Sequence, residues 1–366
     1  MFTPPREVPL PMILKRFWGK IKQRSTKTFA LLLAVGFSLS LAVSACSSSK
    51  VSNSTASSPQ SNPSAAQGGV VRIGYQKYGT LSILKSRASL EQRLKAEGIT
   101  VQWTQFPGGP QLLEALNAGS LDFGHTGEAP PIFAQAAGAP FVYVANEPPA
   151  PKTEAILVPK DSPLKDVAEL KGKKVVLNKG SNVHYLLVQA LAAAKLKLSD
   201  IKVSYLPPAD ARALFEQGGA DAWAIWDPFF AVAEQATGAR ILRDGEGLVA
   251  NREFYLAAKP FSEQHPDRVK VILEELNKVD EWAAKNPTEV AKLLSPALGI
   301  DVPTLEKVAK RRPYGVQPIT DEVITYQQKV ADTFYELKLL PKQIKVSEVA
   351  KATVATSGKS DRLSTK

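Results

Sequence analysis

Cysteine and histidine are scarce in this chain of 366 residues, which has one Cys and three His. A single cysteine excludes an intramolecular disulfide framework, so Cys46 is either free or modified. The histidines, His125, His184 and His265, show no metal-ligand spacing with cysteine or with acidic residues. We therefore expect neither a metal nor a cofactor.

Sequence signatures of common enzyme classes are also missing. No G-x-S-x-G nucleophile elbow occurs, and no G-x-G-x-x-G follows a strand-like segment. The tetrapeptide "SGKS" (357–360) imitates the end of a phosphate-binding loop, but Thr353 stands where that motif has its first glycine. A general-base role for His184 is the remaining catalytic alternative. We expect no catalytic residues and a protein that is not an enzyme.

The formal charge of +11 lacks the distribution that nucleic-acid binding requires. Residues 1–45 hold seven Lys/Arg and one acid, and the remainder holds 39 Lys/Arg against 34 Asp/Glu without a block of one sign. No basic run is interleaved with aromatic residues. The chain therefore predicts no nucleic-acid partner.

No apolar run is long enough to span a bilayer. "FALLLAVGFSLSLAV" (29–43) follows a basic segment, and its 15 residues fall short of the roughly 20 that a spanning helix needs. This pattern predicts a secretory leader over 1–45. "VSAC" (43–46) resembles the lipobox of bacterial lipoproteins, which implies cleavage before Cys46 and a membrane-anchoring lipid on it. A leader cut at "SA" with an unmodified cysteine is the alternative.

The segment after the leader has little that could form a core. Residues 47–69 are rich in Ser, Asn and Pro with one charge, so we interpret 46–69 as the lipidated cysteine and a flexible tether. The folded body then begins at about Val70, outside the cytoplasm and near a membrane. Residues 341–366 are polar and lysine-rich, which predicts a C-terminal tail.

The body alternates strand-like and helix-like segments. Strand patterns at 70–75, 99–106, 121–125 and 141–146 enclose helix patterns at 81–98, 110–119 and 130–138. This alternation predicts a mainly parallel sheet flanked by helices. Residues 260–340 are mostly amphipathic helix, and 254–259 predict a strand that returns to this first sheet.

A second block, from 173 to 242, follows the same order at offsets of 99 to 101 residues. The matched features are Phe106-Pro107 with Leu206-Pro207, Gly119 with Gly218, Asp122 with Asp221, Glu128 with Asp227, and Gly138-Ala139 with Gly238-Ala239. We infer two α/β lobes of similar design, although chance similarity remains an alternative because helix–Gly–x–x–Asp–strand is common in such proteins. The predicted boundaries are 70–154 with 251–340 for lobe I and 155–250 for lobe II.

Four turns lie where strands end and helices begin, and we expect ligands there because open parallel sheets bind ligands at that edge. They are 76–82, 125–130, 179–184 and 223–228. Helix N-termini carry unpaired N–H groups and a partial positive charge, so several that converge form an anion site without needing arginine. The candidate residues are Gln76, Lys77, Thr80, Thr126, Gly127, Gly180, Ser181 and Asn182. The alternative for each Ser, Thr or Asn is a helix cap without a ligand.

Two carboxylates and two tryptophans leave interpretations open. Glu128 and Asp227 either stabilise a first helical turn or orient donors in the cleft. Alternation along "ADAWAIW" (220–226) gives Trp223 a core position and puts Trp226 at the strand end, as an apolar wall of the pocket. An anionic head with an organic tail is the ligand that this combination predicts.

At these places the sequence resembles the aliphatic-sulfonate-binding proteins of ABC transporters, in the group that includes nitrate- and taurine-binding proteins. The resemblance covers about 70–340, and it is carried by "RIGYQK" (72–77), "FPGGPQLLEALNAGSLDFGHTGEAPPIFAQAAGAPFVYVANEPP" (106–149), "KGSNVH" (179–184), "YLPPADARA" (205–213), "DAWAIWDPFF" (221–230) and "FYLAA" (254–258). Many relatives have Asp where Glu128 stands and a Ser-rich run where Asn182-Val183 stands, which leaves the preferred sulfonate open.

The resemblance implies a two-lobed type II periplasmic-binding-protein fold that closes on its ligand. It implies an organic sulfonate as ligand, with an ABC permease and its ATPase as partners, and we expect a monomer. The ligand-binding residues it implies, with those proposed above, are Gln76, Gly79, Thr80, Thr126, Gly127, Glu128, Gly180, Ser181, Asn182, His184, Trp223, Trp226 and Asp227. The alternatives are a nitrate or taurine ligand, an enzyme like the thiamine-pyrimidine-precursor synthases, and a purely structural lipoprotein.

Overall fold

Two five-stranded sheets flanked by helices make up the protein in a computed structural model that describes residues 69–351. The predicted leader, Cys46, nearly all of the tether and residues 352–366 lie outside the described residues. The strands are β1 Val70–Tyr75, β2 Thr100–Gln105, β3 Phe123–Gly127, β4 Phe141–Asn146, β5 Glu154–Val158, β6 Lys174–Leu177, β7 Lys202–Tyr205, β8 Ala222–Trp226, β9 Arg240–Asp244 and β10 Glu253–Ala258.

Twelve helices are described. They are α1 Thr80–Arg87, α2 Ser89–Lys95, α3 Gly109–Asn117, α4 Pro130–Ala136, α5 Asn182–Ala193, α6 Pro208–Glu216, α7 Phe229–Thr237, α8 Lys259–Gln264, α9 Pro266–Lys285, α10 Pro287–Leu298, α11 Val302–Arg311 and α12 Asp321–Glu336. No helix among the described residues combines the length and the hydropathy that crossing a bilayer requires.

The two sheets have the same topology. The first has the order β2-β1-β3-β10-β4 and the second β7-β6-β8-β5-β9. In each sheet three neighbouring strands are parallel, and the fourth, β10 or β5, is antiparallel to the strand on either side. The predicted fold class, two mainly parallel sheets flanked by helices, is therefore confirmed.

The internal repeat that the sequence predicted is visible in equivalent hydrogen bonds. The Asp122 carboxylate accepts from the backbone N–H of Arg72 at 2.8 Å, and the Asp221 carboxylate accepts from that of Lys174 at 2.7 Å. Each aspartate therefore ties the start of its strand to the neighbouring parallel strand in the same way.

The chain crosses between the sheets twice, from β4 to β5 and from β9 to β10. The strand predicted at 254–259 is β10, which returns to the first sheet between β3 and β4. Strands β5 and β10 are each fourth in the order of their five-stranded sheets, so each crossover delivers the chain to an interior position of the other sheet.

The single helix predicted over 81–98 is wrong, because two helices, α1 and α2, occupy this range. Ala88, between them, has φ 54°, in the left-handed region, and its N–H donates to the carbonyls of Leu84 and Lys85. This is the geometry of a helix C-terminus, which an alanine adopts at a cost. The hydrophobic spacing continues across the break, so periodicity alone does not reveal it.

Helix α12 and the segment after it pack against the body. Phe334 of α12 lies 4.8 Å from the Phe133 ring of α4 and 5.8 Å from the Tyr185 ring of α5, so its ring contacts helices of both sheets. Within the predicted tail, Val346 is fully buried, and the Tyr143 N–H donates to the Val349 carbonyl at 3.0 Å. Residues 341–351 are therefore packed onto strand β4.

Candidate functional site

The four turns that the sequence singled out converge between the two sheets. Helices α1, α4, α5 and α7 begin at or just after these turns. Each turn contributes to one cavity of ≈ 20 Å³, lined by Gln76, Tyr78, His125, Thr153, Asn182, Trp226, Asp227, Asn251, Glu253, Val308 and Arg312. Its polar side chains come from both sheets, and its volume is close to that of one water site. An organic ligand needs more room than this cavity gives.

On the first-sheet side, His125 organises the polar groups. Its Nδ1 lies 2.9 Å from a carboxylate oxygen of Glu253, and its Nε2 accepts from the Gln76 N–H at 3.4 Å. Because Nε2 accepts, the ring proton is on Nδ1 and is donated to Glu253. The Gln76 side chain donates to the His125 carbonyl at 3.1 Å. Burial raises the pKa of Glu253, but His125 and Arg312 lower it more, so the net shift is downward and this carboxylate is charged.

Gly79 lets the chain pass against this histidine. A Cβ at Gly79 would lie 2.8 Å from Cε1 of His125, closer than a side chain tolerates. Gly79 also has φ 124°, which favours glycine. The predicted site residue Gly79 therefore lies directly behind the imidazole.

Arg312, just after α11, supplies a cation that the sequence analysis missed. Its guanidinium pairs with Glu147, and its side chain is 8% exposed. Burial lowers the pKa of Arg312, but the carboxylates of Glu147 and Glu253 raise it more, so the net shift is upward and the group stays charged. Its Nε has no hydrogen-bond partner among the described residues. The pair "RR" at 311–312, before a proline, was the available signal.

Asp227 lies on the side of the cavity that the second sheet forms, directly after Trp226 in the sequence. Its carboxylate accepts from Arg311 at 3.1 Å and from the Ala231 N–H at 3.2 Å, and its own N–H donates to the Thr153 carbonyl at 2.9 Å. Burial raises the pKa of Asp227 to about 7, although the charge of Arg311 acts in the opposite direction. Asp227 thus accepts from the first turn of α7 and also lines the cavity, and its role in orienting donors for a ligand stays a prediction.

The two tryptophans of β8 have different environments. Trp226 is half-buried and lines the cavity. Trp223 is fully buried, 5.7 Å from the Phe215 ring, and its Nε1 has no partner among the described residues. The structure therefore places Trp226 at the cavity and Trp223 in the core of the second sheet.

Asn182 and Gly127 bring the two sides together. The Asn182 amide donates to Glu154 at 2.5 Å and to Asn251 at 3.0 Å. A Cβ at Gly127 would lie 2.9 Å from the Asn182 Cβ, so only glycine permits this approach of β3 to α5. Gly108 is similarly close, because a Cβ there would lie 2.7 Å from Nδ2 of Asn178.

Several predicted residues surround the cavity without lining it. The Thr80 hydroxyl donates to Asp280 at 2.6 Å, and the Ser181 hydroxyl donates to the Asn178 carbonyl at 2.7 Å. Thr126 is buried and donates to the Gly127 carbonyl at 3.0 Å. Each of these three hydroxyls therefore donates its hydrogen bond to another group of the protein.

Three further predicted residues, Glu128, Gly180 and His184, also lie outside the lining of the cavity. Glu128 is fully buried and accepts from the Arg252 N–H at 3.2 Å, and burial raises its pKa to about 7. Gly180 has φ 72° and donates its N–H to Nδ1 of His184 at 3.2 Å. Burial lowers the pKa of His184 to about 4, so this imidazole is neutral and holds the turn.

Sequence reasoning missed most of the lining that comes from the crossovers and from α11. Thr153 and Asn251 lie at the two crossovers, where the Asn251 amide donates to Oγ1 of Thr153 at 3.0 Å. Tyr78 was inside a predicted turn, and its hydroxyl lies 3.2 Å from that of Tyr314. No motif marks these residues, because they reach the cavity only through the path of the chain between the sheets.

Comparisons with known proteins agree with this architecture. A family model described as NMT1/THI5 like matches residues 94–290, more than half of the chain. A protein of Escherichia coli K12 named as an aliphatic sulfonates-binding protein is 46% identical over 280 residues, which cover 76% of this chain and 87% of that protein.

Two solved structures are similar along nearly their whole length. The alkanesulfonate-binding protein SsuA from Xanthomonas axonopodis pv. citri, bound to MOPS, has a TM-score of 0.74 and 42% identity, over 77% of this chain and 97% of that one. The periplasmic aliphatic sulphonate binding protein SsuA from Escherichia coli has a TM-score of 0.70 and 45% identity, with the same coverage. The chain therefore belongs to the NMT1/THI5-like family, in its group of aliphatic-sulfonate-binding proteins.

Proposed function

We propose that this protein is the extracytoplasmic binding component of an ABC importer, which captures an aliphatic sulfonate between its two lobes and delivers it to the permease. The observation that carries the proposal is the convergence of four helix-initiating turns, two from each sheet, on one polar cavity. Helix N-termini favour an anion, and a sulfonate is a permanent anion at physiological pH. The names of the related proteins support the same ligand class.

The lobes of this proposal are 70–154 with 251–340 and 155–250. Within them, Gln76, Asn182, Trp226 and Asp227 would contact the ligand, since they line the cavity. Gly79 and Gly127 would contribute by allowing close approach. The other candidates would position these groups, namely Thr80, Thr126, Glu128, Gly180, Ser181, His184 and Trp223. Arg312, which was absent from the prediction, would bring the positive charge nearest the head group.

We further propose that a lipid on Cys46 anchors the protein and that residues 46–69 act as its tether, which would keep a monomeric binding protein close to the permease. The support is the sequence pattern around Cys46. Mass spectrometry of the protein from membranes would test this. An N-terminal diacylglyceryl cysteine supports the proposal, and a free thiol after cleavage contradicts it.

Calorimetry with ethanesulfonate, taurine, nitrate and sulfate tests the ligand class. We expect sulfonates to bind at micromolar concentrations or below without turnover, and to raise the melting temperature. Binding of nitrate but of no sulfonate would overturn the sulfonate assignment in favour of the nitrate alternative. A ligand-induced shift for none of the four would favour a structural lipoprotein.

The enzymatic alternative receives less support from the site. The side chains of His125 and His184 and the cavity carboxylates are engaged in internal hydrogen bonds, and no cluster of metal-binding residues occurs within 69–351. Release of a product from a bound sulfonate, measured by mass spectrometry, would contradict the binding-protein proposal.

A further inference from the structure

A second interlobe groove of ≈ 230 Å³ opens beside the cavity, and the ligand site described above does not include it. We define the tail groove by Lys77, Pro228, Phe229, Val232, Ile300 and Thr304. Its walls come from the first turn, from α7 of the second sheet, and from the α10–α11 region. The lining is mixed, because the charged and polar side chains of Arg212, Gln235 and Asp301 also border the groove. Lys77 is the basic residue of the groove that belongs to one of the cavity turns.

The tail groove is continuous with the cavity on three separate elements. Lys77 lies between Gln76 and Tyr78, which both line the cavity. Pro228 directly follows Asp227, another cavity residue. On α11, Thr304 lines the groove and Val308, one helical turn later, lines the cavity. A ligand whose head is in the cavity therefore has the tail groove as its adjoining space.

Lys77 has no carboxylate partner in the described part of the chain. Its Nζ lies over the Phe229 ring at 5.4 Å, so the contact across the lobes is a cation–π interaction. The other charges in the groove are already paired: Arg212 forms an ion pair with Glu216 at 2.6 Å, and the Asp301 carboxylate caps α11 through the Thr304 N–H at 2.9 Å. Lys77 is thus the cation that can take a new anionic partner.

We propose that the tail groove is the second subsite of the ligand site, and that Lys77 makes it favour sulfonates whose far end carries a carboxylate. This inference rests on the proposed sulfonate function. Once the lobes part enough to enlarge the cavity, the head group would bind there and the middle of the ligand would pass Trp226 and Phe229. The terminal carboxylate would pair with Lys77. The carboxylate would give the Lys77 ammonium group an anionic partner, whereas its present partner is the Phe229 ring.

A pair of ligands that differ in the far end tests the inference, para-sulfobenzoate against para-toluenesulfonate. For the full-length protein we expect para-sulfobenzoate to bind about tenfold more tightly than para-toluenesulfonate, because only its carboxylate can accept a charge-assisted hydrogen bond from Lys77. Lys77→Gln should abolish this preference, so that para-sulfobenzoate and para-toluenesulfonate bind the variant within about twofold of each other. Added salt should reduce the preference in the parent protein.

Lys85→Gln is the matched control, because Nζ of Lys85 also lies 5.4 Å from a ring, that of Tyr75, outside the groove. We expect this variant to keep the preference. Val232→Trp fills the groove and should weaken both ring ligands but not ethanesulfonate.

Three outcomes would overturn the inference. They are equal binding of both ring ligands to the parent protein, an unchanged preference in Lys77→Gln, and unchanged ring binding in Val232→Trp. If ethanesulfonate still binds in those experiments, the sulfonate function stands and only the tail groove fails. If no sulfonate binds, both proposals fail.

Discussion

At the residue scale, burial separates side chains that the sequence presents as equivalent. Trp223 and Trp226 are three residues apart on one strand, yet one is in the core and the other faces the cavity. Strand alternation puts them on opposite faces, and the position of Trp226 at the strand end places it at the edge where the lobes meet. The positions agree with those predicted from strand alternation, while the ligand-binding roles given to both tryptophans stay predictions, and Trp223 does not line the cavity.

Trp226→Ala tests the proposed wall of the pocket. We expect octanesulfonate to lose about tenfold in affinity and ethanesulfonate less than threefold, because only the longer tail contacts the indole and each buried methylene contributes about 0.8 kcal/mol. Calorimetry with both ligands measures the difference. Trp282→Ala is the control, since Trp282 packs against Arg87 away from the cavity. Equal losses for both sulfonates would argue against the wall.

Glu128 gives a pH-dependence prediction. Its carboxylate ionises near pH 4.3 in the unfolded chain, and burial raises its pKa to about 7 in the folded protein. The folded state therefore holds the proton more tightly, and the contribution of this group to the free energy of unfolding falls as the pH rises, levelling off above about 7. Arg252 and Tyr326 oppose the shift, and Glu154 lies near enough to have its own pKa raised by burial and by the charge of Glu128.

In Glu128→Gln the loss of unfolding free energy that accompanies ionisation of Glu128 should disappear. We expect the free energy of unfolding of the variant, relative to the parent, to rise by about 2 kcal/mol between about pH 5 and about pH 8. Urea unfolding at several pH values measures it. Glu281→Gln, on the exposed side of α9, should show no such trend. A difference that is constant with pH would show that the Glu128 carboxyl ionises alike in both states.

At the element scale, helix ends determine where the polar groups of the site lie. Helices α5 and α7 begin after turns of similar position in the second sheet, as α1 and α4 do in the first. The N-cap residues Ser181 and Gly79 make no side-chain capping bond, and their carbonyls accept from the N–H groups of His184 and Ser82. The N–H groups of the first two residues of each helix, Thr80 and Leu81 in α1 and Asn182 and Val183 in α5, are the donors that the proposed anion site would use.

Ala88→Gly tests the energetic cost of the break between α1 and α2. Ala88 has φ 54°, where glycine has no steric penalty, so we expect the variant to be more stable by about 1 kcal/mol. Ala96→Gly is the matched control, because Ala96 has φ −61° and should gain nothing. Thermal and denaturant unfolding measure both variants. A loss of stability in Ala88→Gly would mean that the Ala88 methyl group contributes more through packing than it costs through strain.

At the scale of the whole molecule, the two lobes approach closely where β3 faces α5. The approach depends on Gly127, since a Cβ there would lie 2.9 Å from that of Asn182. Two crossovers connect the lobes, and Asn251 at the second donates to the Ala150 carbonyl near the first at 2.9 Å. The two crossovers are therefore held together by this hydrogen bond.

Gly127→Val should hold the lobes apart. We expect about a tenfold or greater loss of sulfonate affinity and a larger radius of gyration with ligand present, because a side chain at this position collides with Asn182. Calorimetry and small-angle scattering measure these effects. The double variant Gly127→Val with Asn182→Gly should recover the compact shape. Unchanged scattering in the single variant would mean that the contact adjusts without opening the lobes.

Much of this organisation could be predicted before the structure. The alternation of strands and helices, the repeat at offsets of 99 to 101 residues, and the return strand β10 are local patterns of hydrophobicity and glycine punctuation. The break at Ala88 could not, because an alanine carries no turn signal. For the site, the four turns were found, but Arg312 and Asn251 were not.

The sequence by itself determined the two-lobed α/β class, the four turns that line the cavity, and the separate positions of Trp223 and Trp226, because these depend on periodicity and on where helices begin. The tertiary structure alone decided which polar side chains face the cavity. Internal hydrogen bonds engage the side chains of Thr80, Ser181 and His184. The cavity is instead lined in part by residues from distant parts of the chain, namely Arg312, Thr153 and Asn251. That outcome depends on long-range packing and on competition among hydrogen-bond partners, which no local pattern encodes.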